Sequence, residues 1–447
     1  MESAVPPGLA LAGAMGRAGI FGRRFSSAAL AALSNPDCGA TRKKKVAMWI
    51  GYVGTGYKGL QLHGDHPTIE ADLDKAIYKA GGILDSNYGH HMKVGWARSS
   101  RTDKGVHSLA TVISLKMELP IDAWRDDPGG IEIADMINRH LPQCIRVFGV
   151  VPVSKLVSKT FRPRMACSER SYDYFLPALC VGINQRVSTC EIKQLLEQFR
   201  LQLKLFEGEH PFHNYTIRRN YGKPKQQDLN WRTRTPIAAD NSSSSSEEED
   251  EDGDADEPRL RVQQKPSPAY WLQELDPTDR ITAQHYRKII RCSCGDIEKF
   301  GDTLALRVSV TGASFMVHQI RKMIGTAVAV TRKLLPPDII QMSLCRHSRI
   351  VLPIAPCEGL TLASSKFCSQ HSTSHAINLS SLGCQRREAF WKDHVFLEIV
   401  KAMRSERDPW NKWCEAMDSY CYLPEPNVSS LRDAWLDWKK QRNACLM

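Results

Sequence analysis

Residues 98–108 read RSSRTDKGVHS, which sets Asp103 among Arg98, Arg101 and Lys104 just before a glycine. One interpretation is a solvated turn, because Asp and Gly are common in turns and neighbouring charges are ordinary on a surface. The other is a carboxylate that an arginine holds ionised and oriented, as a catalytic nucleophile or base requires. The segment alone leaves both interpretations open.

Three residues elsewhere in the chain are candidates to accompany that carboxylate. Tyr172 lies near the start of a strand-like segment, Arg321 lies in VHQIRKMIG, and Leu360 lies in EGLTL after a loop that contains prolines. Each has an ordinary structural explanation, as a core aromatic, a solvated helix charge and strand packing respectively. Taken singly, none of them identifies a function.

The first half of the chain alternates between strand and helix patterns. The predicted elements are a strand over 46–53, a helix over 68–80, a strand over 106–117, a helix over 131–141 and a strand over 145–153. Thr68 is the expected N-cap of the first helix, because its hydroxyl can accept a bond from an unpaired backbone N–H. This order predicts helices packed on a mostly antiparallel sheet.

A similar mixture follows Arg170. The predicted elements are a strand over 171–178, a helix over 191–203, a hairpin over 289–310, a long buried helix over 314–334 and a late helix over 388–403. Because strands and helices alternate alike on both sides of Arg170, we expect an α+β fold with two related α/β halves that share a cleft.

The charge of the chain favours a polyanionic partner. The 447 residues carry a formal net charge of +11, although residues 247–257 contain nine acidic groups and no basic ones, which leaves +20 on the remainder. Such a basic body suggests nucleic acid before a membrane surface. The sequence has no apolar run long enough to span a bilayer, so we expect no membrane association.

The fourteen cysteines predict neither a disulfide framework nor a zinc site. They are scattered, no CxxC occurs, and the one close pair is Cys292 and Cys294. That spacing is typical of two positions on the same face of a strand, whereas zinc ligands usually come in wider pairs. Many unpaired thiols indicate a reducing compartment.

The N-terminal segment has the composition of a targeting sequence. Between Glu2 and Asp37 there is no acidic residue, while Arg17, Arg23 and Arg24 lie among Ala, Ser, Gly and Leu. This profile predicts a transit peptide, for a mitochondrion before a chloroplast. The basic run at 42–45 offers a nuclear signal as the alternative, or a basic leader to the first strand.

The chain therefore divides into four predicted parts. These are a targeting or disordered segment (1–43), an N-terminal half of the folded domain that contains Asp103 (44–170), a C-terminal half (171–404) and a C-terminal extension (405–447). The acidic run at 247–257 follows the serine-rich residues 241–246. Residues 241–257 cannot bury a core, so they are expected to be a disordered insert in the second half.

Seven segments of the chain together resemble the TruA family of tRNA pseudouridine synthases, and its eukaryotic branch most closely. They are GYVGTGYKGLQ (51–61), RTDKGVHS (101–108), INRHLP (137–142), FRPRMACSERSYDYFLP (161–177), FEGEHPFHNYT (206–216), SFMVHQIRKMIG (314–325) and EGLTL (358–362). They occur in the order of the family and span roughly residues 46–400. One departure is SRTD, where many bacterial relatives have a glycine before the Arg-Thr-Asp.

The resemblance implies a role for each candidate. Asp103 matches the catalytic aspartate of the family, and Arg101 an arginine that helps to open the duplex and position the base. Tyr172 matches the tyrosine that stacks on the target base. Arg321 matches the arginine that pairs with the catalytic carboxylate, and Leu360 the apolar floor of the pocket. Arg98 has no clear counterpart, so we assign it no catalytic role.

The resemblance also implies the pseudouridine synthase fold, with RNA bound in the central cleft and tRNA as the substrate. The implied reaction isomerises uridines in or near the anticodon stem-loop and needs no cofactor and no metal. Bacterial relatives form dimers and the eukaryotic branch tends towards monomers, so both states remain open. Other structured RNAs remain possible substrates.

Two alternatives belong to other functional classes. A basic RNA-binding or tRNA-folding factor on the same scaffold would be free to lose Asp103, Tyr172 and Arg321, and all three are present. A glycoside hydrolase would require two paired carboxylates, whereas only one convincing carboxylate is found. The sequence therefore favours an RNA-modifying enzyme.

Overall fold

The computed structural model of the chain describes residues 41–154, 159, 161–184, 186–217, 269–274, 281–367, 377–405, 408–419, 423 and 425–444. The predicted transit peptide and the acidic insert at 241–257 lie outside these residues.

The described residues form eleven strands. They are β1 (Thr41–Tyr52), β2 (Ala97–Arg98), β3 (His107–Pro120), β4 (Ile145–Pro152), β5 (Cys167–Pro177), β6 (Gly208–Pro211), β7 (Ala269–Trp271), β8 (Tyr286–Phe300), β9 (Thr303–Gly312), β10 (Ser348–Ile350) and β11 (Leu360–Phe367). Nine of them share one sheet in the order β4-β1-β3-β11-β5-β9-β8-β6, with β2 paired to β3. β7 and β10 form a separate pair.

The α-helices of the described residues flank this sheet. They are α1 (Ile69–Lys79), α2 (His91–Val94), α3 (Ile131–Asn138), α4 (Pro163–Ala166), α5 (Thr189–Lys204), α6 (Gln319–Thr331), α7 (Ile339–Ser343), α8 (Ser381–Phe390), α9 (Phe396–Met403), α10 (Pro409–Ser419) and α11 (Glu425–Ala444). A π-helical turn, Trp391–Val395, joins α8 to α9. The α+β prediction is therefore confirmed.

One strand of the second half lies between the two halves of the sheet. β11 pairs with β5 in antiparallel fashion and with β3 in parallel, with Thr361 opposite His107. The other strand pairs of the described residues are antiparallel, as predicted. Because β11 runs parallel to β3, the start of β11 and the loop that precedes β3 lie at the same end of the sheet.

The alternation of side chains in β1 explains why the sheet is covered on both faces. Val46, Met48 and Ile50 belong to one buried cluster with residues of α1 and α3. Ala47 and Trp49 point to the opposite face and belong to the larger cluster, which includes residues of α6 and α8. Because successive residues of a strand point to opposite faces, a continuous apolar run indicates burial on both.

Most local predictions are confirmed. Thr68 caps α1, where its hydroxyl accepts a hydrogen bond from Ala71 N at 3.4 Å. Cys292 and Cys294 are both buried in β8, opposite Val310 and Val308 of β9. They occupy the same face of a strand, as their spacing indicated.

The long helix predicted over 314–334 is shorter in the structure. It is α6, Gln319–Thr331, because His318 at its N-terminus has φ +64° and Lys333 beyond its C-terminus has φ +61°. Left-handed residues end a right-handed helix. Residues 314–318 therefore form a loop, and this loop reaches the site described below.

Two predicted boundaries fall inside strands. The boundary between 43 and 44 lies within β1, which begins at Thr41, and the boundary between 170 and 171 lies within β5. The basic run at 42–45 is therefore part of a strand, where Lys45 Nζ donates to Phe161 O at 2.9 Å. Composition alone does not register such contacts, because they join residues far apart in sequence.

The C-terminal helices are integrated into the body. Trp410 of α10 is fully buried in the larger cluster, together with Met417. Arg432 of α11 donates two hydrogen bonds to Asp338, at 2.5 and 3.0 Å. In the described ranges, no helix has both the length and the apolar composition that crossing a bilayer requires.

Candidate active site

Asp103 lies in a tight turn before β3. Val106 N donates to Asp103 O at 3.2 Å, and Gly105 within this turn has φ +78°. Glycine adopts this backbone conformation without steric cost, whereas an added Cβ would lie 2.7 Å from Cys357 Sγ. The sequence Asp-Lys-Gly therefore forms the sharp turn that its composition predicted, and the turn packs against the segment before β11.

His107 joins this turn to two distant segments. Its Nδ1 accepts a hydrogen bond from Gly54 N at 3.1 Å, and its Nε2 lies 3.1 Å from Glu358 O. Burial lowers the pKa of His107 to about 4, so the ring is neutral at physiological pH and its Nε2–H donates to Glu358 O. Segments 51–61, 101–108 and 358–362 therefore meet at one imidazole.

The carboxylate of Asp103 meets the loop that precedes α6. His318 N donates to Asp103 Oδ2 at 3.2 Å, and the His318 ring nitrogen Nε2 lies 3.9 Å from the same oxygen. About a quarter of the Asp103 side chain remains exposed. His318 adopts φ +64°, a conformation that costs energy for a non-glycine residue and that is concentrated at functional sites.

Sequence reasoning did not single out His318. The available signal was its position three residues before Arg321, in a segment that matches the family. Its backbone contact with Asp103 spans 215 residues of chain, so no local pattern announces it.

Tyr172 lies on β5, near enough to Asp103 for the charge of that carboxylate to act on its hydroxyl. It is almost fully buried, and its ring packs edge-on against Phe315, with a centroid distance of 5.2 Å. Burial raises the pKa of the Tyr172 hydroxyl, and the negative charge of Asp103 contributes in the same direction. The phenol is therefore neutral at physiological pH and presents an apolar ring near Asp103.

Leu360 and Arg321 are connected through the segment before β11. Leu360 is buried at the start of β11, opposite Tyr174 of β5. Arg321 is also buried, and its Nε donates to Ala355 O at 2.7 Å. Arg321 therefore holds the segment that leads into Leu360.

The ion pair between Arg321 and Asp103 stays a prediction. Among the described residues, the contacts of Arg321 within 4 Å do not include the Asp103 carboxylate. Arg101 is half-buried two residues before Asp103, and its neighbour Thr102 shares a 2.8 Å hydrogen bond with Tyr52. The structure thus brings Asp103, Tyr172 and His318 together and places Arg101, Arg321 and Leu360 on the segments around them.

Arg98 has a structural role. It donates two hydrogen bonds to the fully buried Glu70, at 2.7 and 3.1 Å, and Trp96 Nε1 donates to the same carboxylate at 2.8 Å. Such a bidentate pair fixes β2 against α1. Arg98 is therefore paired with the Glu70 carboxylate and not with Asp103.

A metal centre is not apparent in this region. Across the ranges that the structure describes, no group of three or more His, Cys, Asp or Glu side chains is placed to hold a metal ion.

Comparison with known proteins covers part of this site. A family described as tRNA pseudouridine synthase matches residues 259–367 of the chain, which include the Arg321 helix and the Leu360 strand. A protein of Candida glabrata named tRNA pseudouridine synthase 1 is 30% identical over 85% of this chain and 71% of its own length.

Other relatives are similar over most of this chain. The tRNA pseudouridine synthase 1 of Eremothecium gossypii is 31% identical over 76% of this chain. The pseudouridylate synthase 1 homolog of Mus musculus is 27% identical over 82%. This chain spans 66% of the length of the Eremothecium protein and 63% of the counterpart from Yarrowia lipolytica.

Proposed function

Because the chain belongs to the TruA family of tRNA pseudouridine synthases, we propose that it isomerises selected uridines of tRNA to pseudouridine, with Asp103 as the catalytic residue. The observation that carries this proposal is the position of Asp103. Its carboxylate belongs to a tight turn, accepts the His318 N–H at 3.2 Å and is near enough to Tyr172 for its charge to act on the phenol.

The reaction breaks the bond between uracil N1 and ribose C1′ and rejoins the base through C5. The C5 proton is lost and N1 gains a proton, so atoms balance without a second reactant. An ionised carboxylate can attack C1′ or remove a proton from the sugar, as carboxylates do in enzymes that cleave glycosidic bonds. The His318 N–H occupies one oxygen of Asp103 and orients the carboxylate for either step.

The target base has to leave the RNA stack, since it rotates during the reaction. Tyr172 is suited to hold a base, because an aromatic face stacks on a ring without fixing its rotation. Leu360 supplies an apolar surface, and we assign to Arg101, two residues before Asp103, the role of positioning the base or reaching into the RNA. The net charge of +11, which rises to +20 without the acidic run, supports binding to the phosphate backbone.

The proposed reaction is neither a redox process nor a transfer to a second molecule. It requires no cofactor, and the residues around Asp103 supply the charge, the hydrogen bond and the apolar surfaces that an isomerisation uses.

The proposed targets are uridines in or near the anticodon stem-loop of tRNA, as the family resemblance implies. Because proteins recognise folded RNA largely by shape, the residues of the site do not select one position. Mapping of pseudouridine in tRNA transcripts incubated with the purified protein tests the activity and names the positions.

The same experiment separates the two candidate functions. An enzyme produces pseudouridine in the transcript, whereas an RNA-binding or tRNA-folding factor binds the transcript and leaves its uridines unchanged. Tight binding without any pseudouridine, on transcripts and on total tRNA, would favour the binding factor.

For the location of the protein, we propose a mitochondrion, with a chloroplast or the nucleus as alternatives. The support is the composition of residues 1–40, which is rich in Arg, Ala and Ser and poor in acids. A fluorescent reporter fused to residues 1–45 distinguishes the addresses. Diffuse cytosolic fluorescence would contradict all three locations.

The oligomeric state is a separate proposal, either a monomer or a homodimer. Light scattering on the purified protein distinguishes the two.

A further inference from the structure

Arg170 uses all five of its N–H donors. It lies on β5 two residues before Tyr172 and is 7% exposed. Its hydrogen bonds run to Ser100 Oγ (3.0 Å), Cys167 O (3.2 Å), Ala313 O (2.5 Å), Ser99 O (2.8 Å) and Arg164 O (3.0 Å). Such a fully bonded guanidinium holds its neighbours in one arrangement.

The acceptors of Arg170 are all neutral. Within the part of the chain that the structure describes, no carboxylate oxygen lies within 4 Å of this guanidinium. Arg98, by contrast, is paired with the Glu70 carboxylate. A buried arginine without a counterion is costly, and the positive charge of Arg170 acts on the Tyr172 hydroxyl, where it opposes the rise in pKa that burial causes.

The acceptors belong to segments that meet at the candidate site. Ser99 and Ser100 lead into Asp103, and Ala313 begins the loop that ends at His318. Arg170 therefore holds both segments whose ends form the 3.2 Å contact between His318 N and Asp103 Oδ2. The strand that carries Arg170 also carries Tyr172.

We propose that Arg170 is a positioning residue for the isomerisation, which fixes Asp103, His318 and Tyr172 relative to one another and does not itself contact the RNA. This inference rests on the proposed function. It assigns to a buried residue of the sheet a role that family resemblance did not identify, and it predicts that a change at Arg170 slows the chemical step without weakening RNA binding.

Replacement of Arg170 by lysine tests the hydrogen bonds specifically, because lysine retains the positive charge and removes the planar guanidinium. Its ammonium is a point charge with three donors, so it cannot reach acceptors on three segments at once. A displacement of the catalytic group by ~1 Å can cost about 100-fold in rate. We therefore expect Arg170→Lys to lower the single-turnover rate about 100-fold, with the dissociation constant for tRNA within about threefold of wild type.

The test measures pseudouridine formation in a tRNA transcript under single-turnover conditions with saturating enzyme, together with tRNA affinity and the thermal midpoint. Arg98→Lys is the matched control, because it also removes the fork of a half-buried arginine, and that fork binds the buried Glu70. We expect Arg98→Lys to lower the thermal midpoint of unfolding and to leave the single-turnover rate within about threefold of wild type.

Ser100→Ala is a milder variant in case Arg170→Lys does not fold. It removes one acceptor of Arg170 and changes no charge. The loss of one hydrogen bond predicts a rate about three- to tenfold lower at unchanged tRNA affinity. A folded Arg170→Lys or Ser100→Ala protein with the wild-type rate would overturn the inference, as would equal rate losses in Arg170→Lys and Arg98→Lys. A wild-type protein that forms no pseudouridine would instead reject the proposed function.

Discussion

Trp410 Nε1 donates a hydrogen bond to the Tyr174 hydroxyl at 3.0 Å, and that hydroxyl in turn donates to Pro356 O at 2.9 Å. This chain of bonds connects α10 to the segment before β11. Trp410 is fully buried, and an added Cβ at Gly359 would lie 3.0 Å from its ring. The C-terminal part of the chain therefore supports the strand that carries Leu360.

We first predict that Trp410 and Tyr174 are energetically coupled. Trp410→Phe and Tyr174→Phe should each lower the free energy of unfolding, and the double variant should lose about 0.5–1.5 kcal/mol less than the sum, because the shared bond is lost once. Chemical denaturation of the four proteins measures this. Additive losses would show that the bond contributes nothing beyond packing.

Asp103→Asn should abolish pseudouridine formation and leave tRNA binding within about threefold. Asn is nearly isosteric with Asp and can accept the His318 N–H, but it cannot act as an anionic nucleophile or base. We expect a rate loss of at least about 1,000-fold in a single-turnover assay. Asp122→Asn, which removes a carboxylate from an exposed position, is the control and should retain the wild-type rate. Substantial turnover by Asp103→Asn would refute the catalytic assignment.

Gly105→Ala should both destabilise the protein and slow the reaction. A left-handed backbone costs a residue with a Cβ about 1–2 kcal/mol, and the new Cβ would meet Cys357 Sγ at 2.7 Å. That contact is relieved by a movement of the Cys357 side chain or of the turn, and a movement of the turn shifts Asp103. Gly182→Ala is the matched control, because Gly182 has φ +86° and open space around its Cβ position. The Gly182→Ala protein should be less stable than wild type and should have the wild-type rate. Equal activity of the two variants would argue against a strict position for the turn.

The buried His107 should make the protein less stable in acid. Its folded pKa of about 4 lies below the ordinary value of 6.5, so the unfolded state binds the proton more readily. The stabilisation is fully present above about pH 6.5. As the pH falls towards 4, the free energy of unfolding decreases by about 1.4 kcal/mol per pH unit. Burial also lowers the pKa of His213 to about 4, so His213 makes the protein less stable in acid in the same way.

His107→Gln should therefore flatten the dependence of the unfolding free energy on pH between 6.5 and 4, whatever its effect at neutral pH. Urea denaturation at several pH values gives the slope. His140→Gln, which replaces an exposed histidine, is the control and should keep the wild-type slope. An unchanged slope in His107→Gln would contradict burial of a neutral ring.

Deletion of residues 241–257 should leave the turnover rate near that of wild type. The segment is rich in Ser and acidic residues, and its negative charge should repel RNA. We expect the deletion to tighten tRNA binding at low salt and to have little effect at high salt, where the charges are screened. A neutral Gly/Ser segment of the same length separates charge from length. A folded deletion variant without activity would show that this segment contributes to the reaction.

The sequence by itself was sufficient for the local features of this protein. The N-cap at Thr68, the apolar strand over 46–53 and the sharp turn at Asp103 depend on residues close together in the chain, and their hydrogen bonds and dihedral preferences act over that range. The order of these elements also indicated an antiparallel sheet with helices, and the motifs indicated which carboxylate to examine.

The tertiary structure decided which residues meet. Arg98 is close to Asp103 in sequence, yet it binds the buried Glu70. His318 lies 215 residues after Asp103, yet its N–H donates a hydrogen bond to the Asp103 carboxylate. The insertion of β11 between β3 and β5 brings these segments together. Such contacts arise from the burial of whole strands and helices against one another, which no window of neighbouring residues contains.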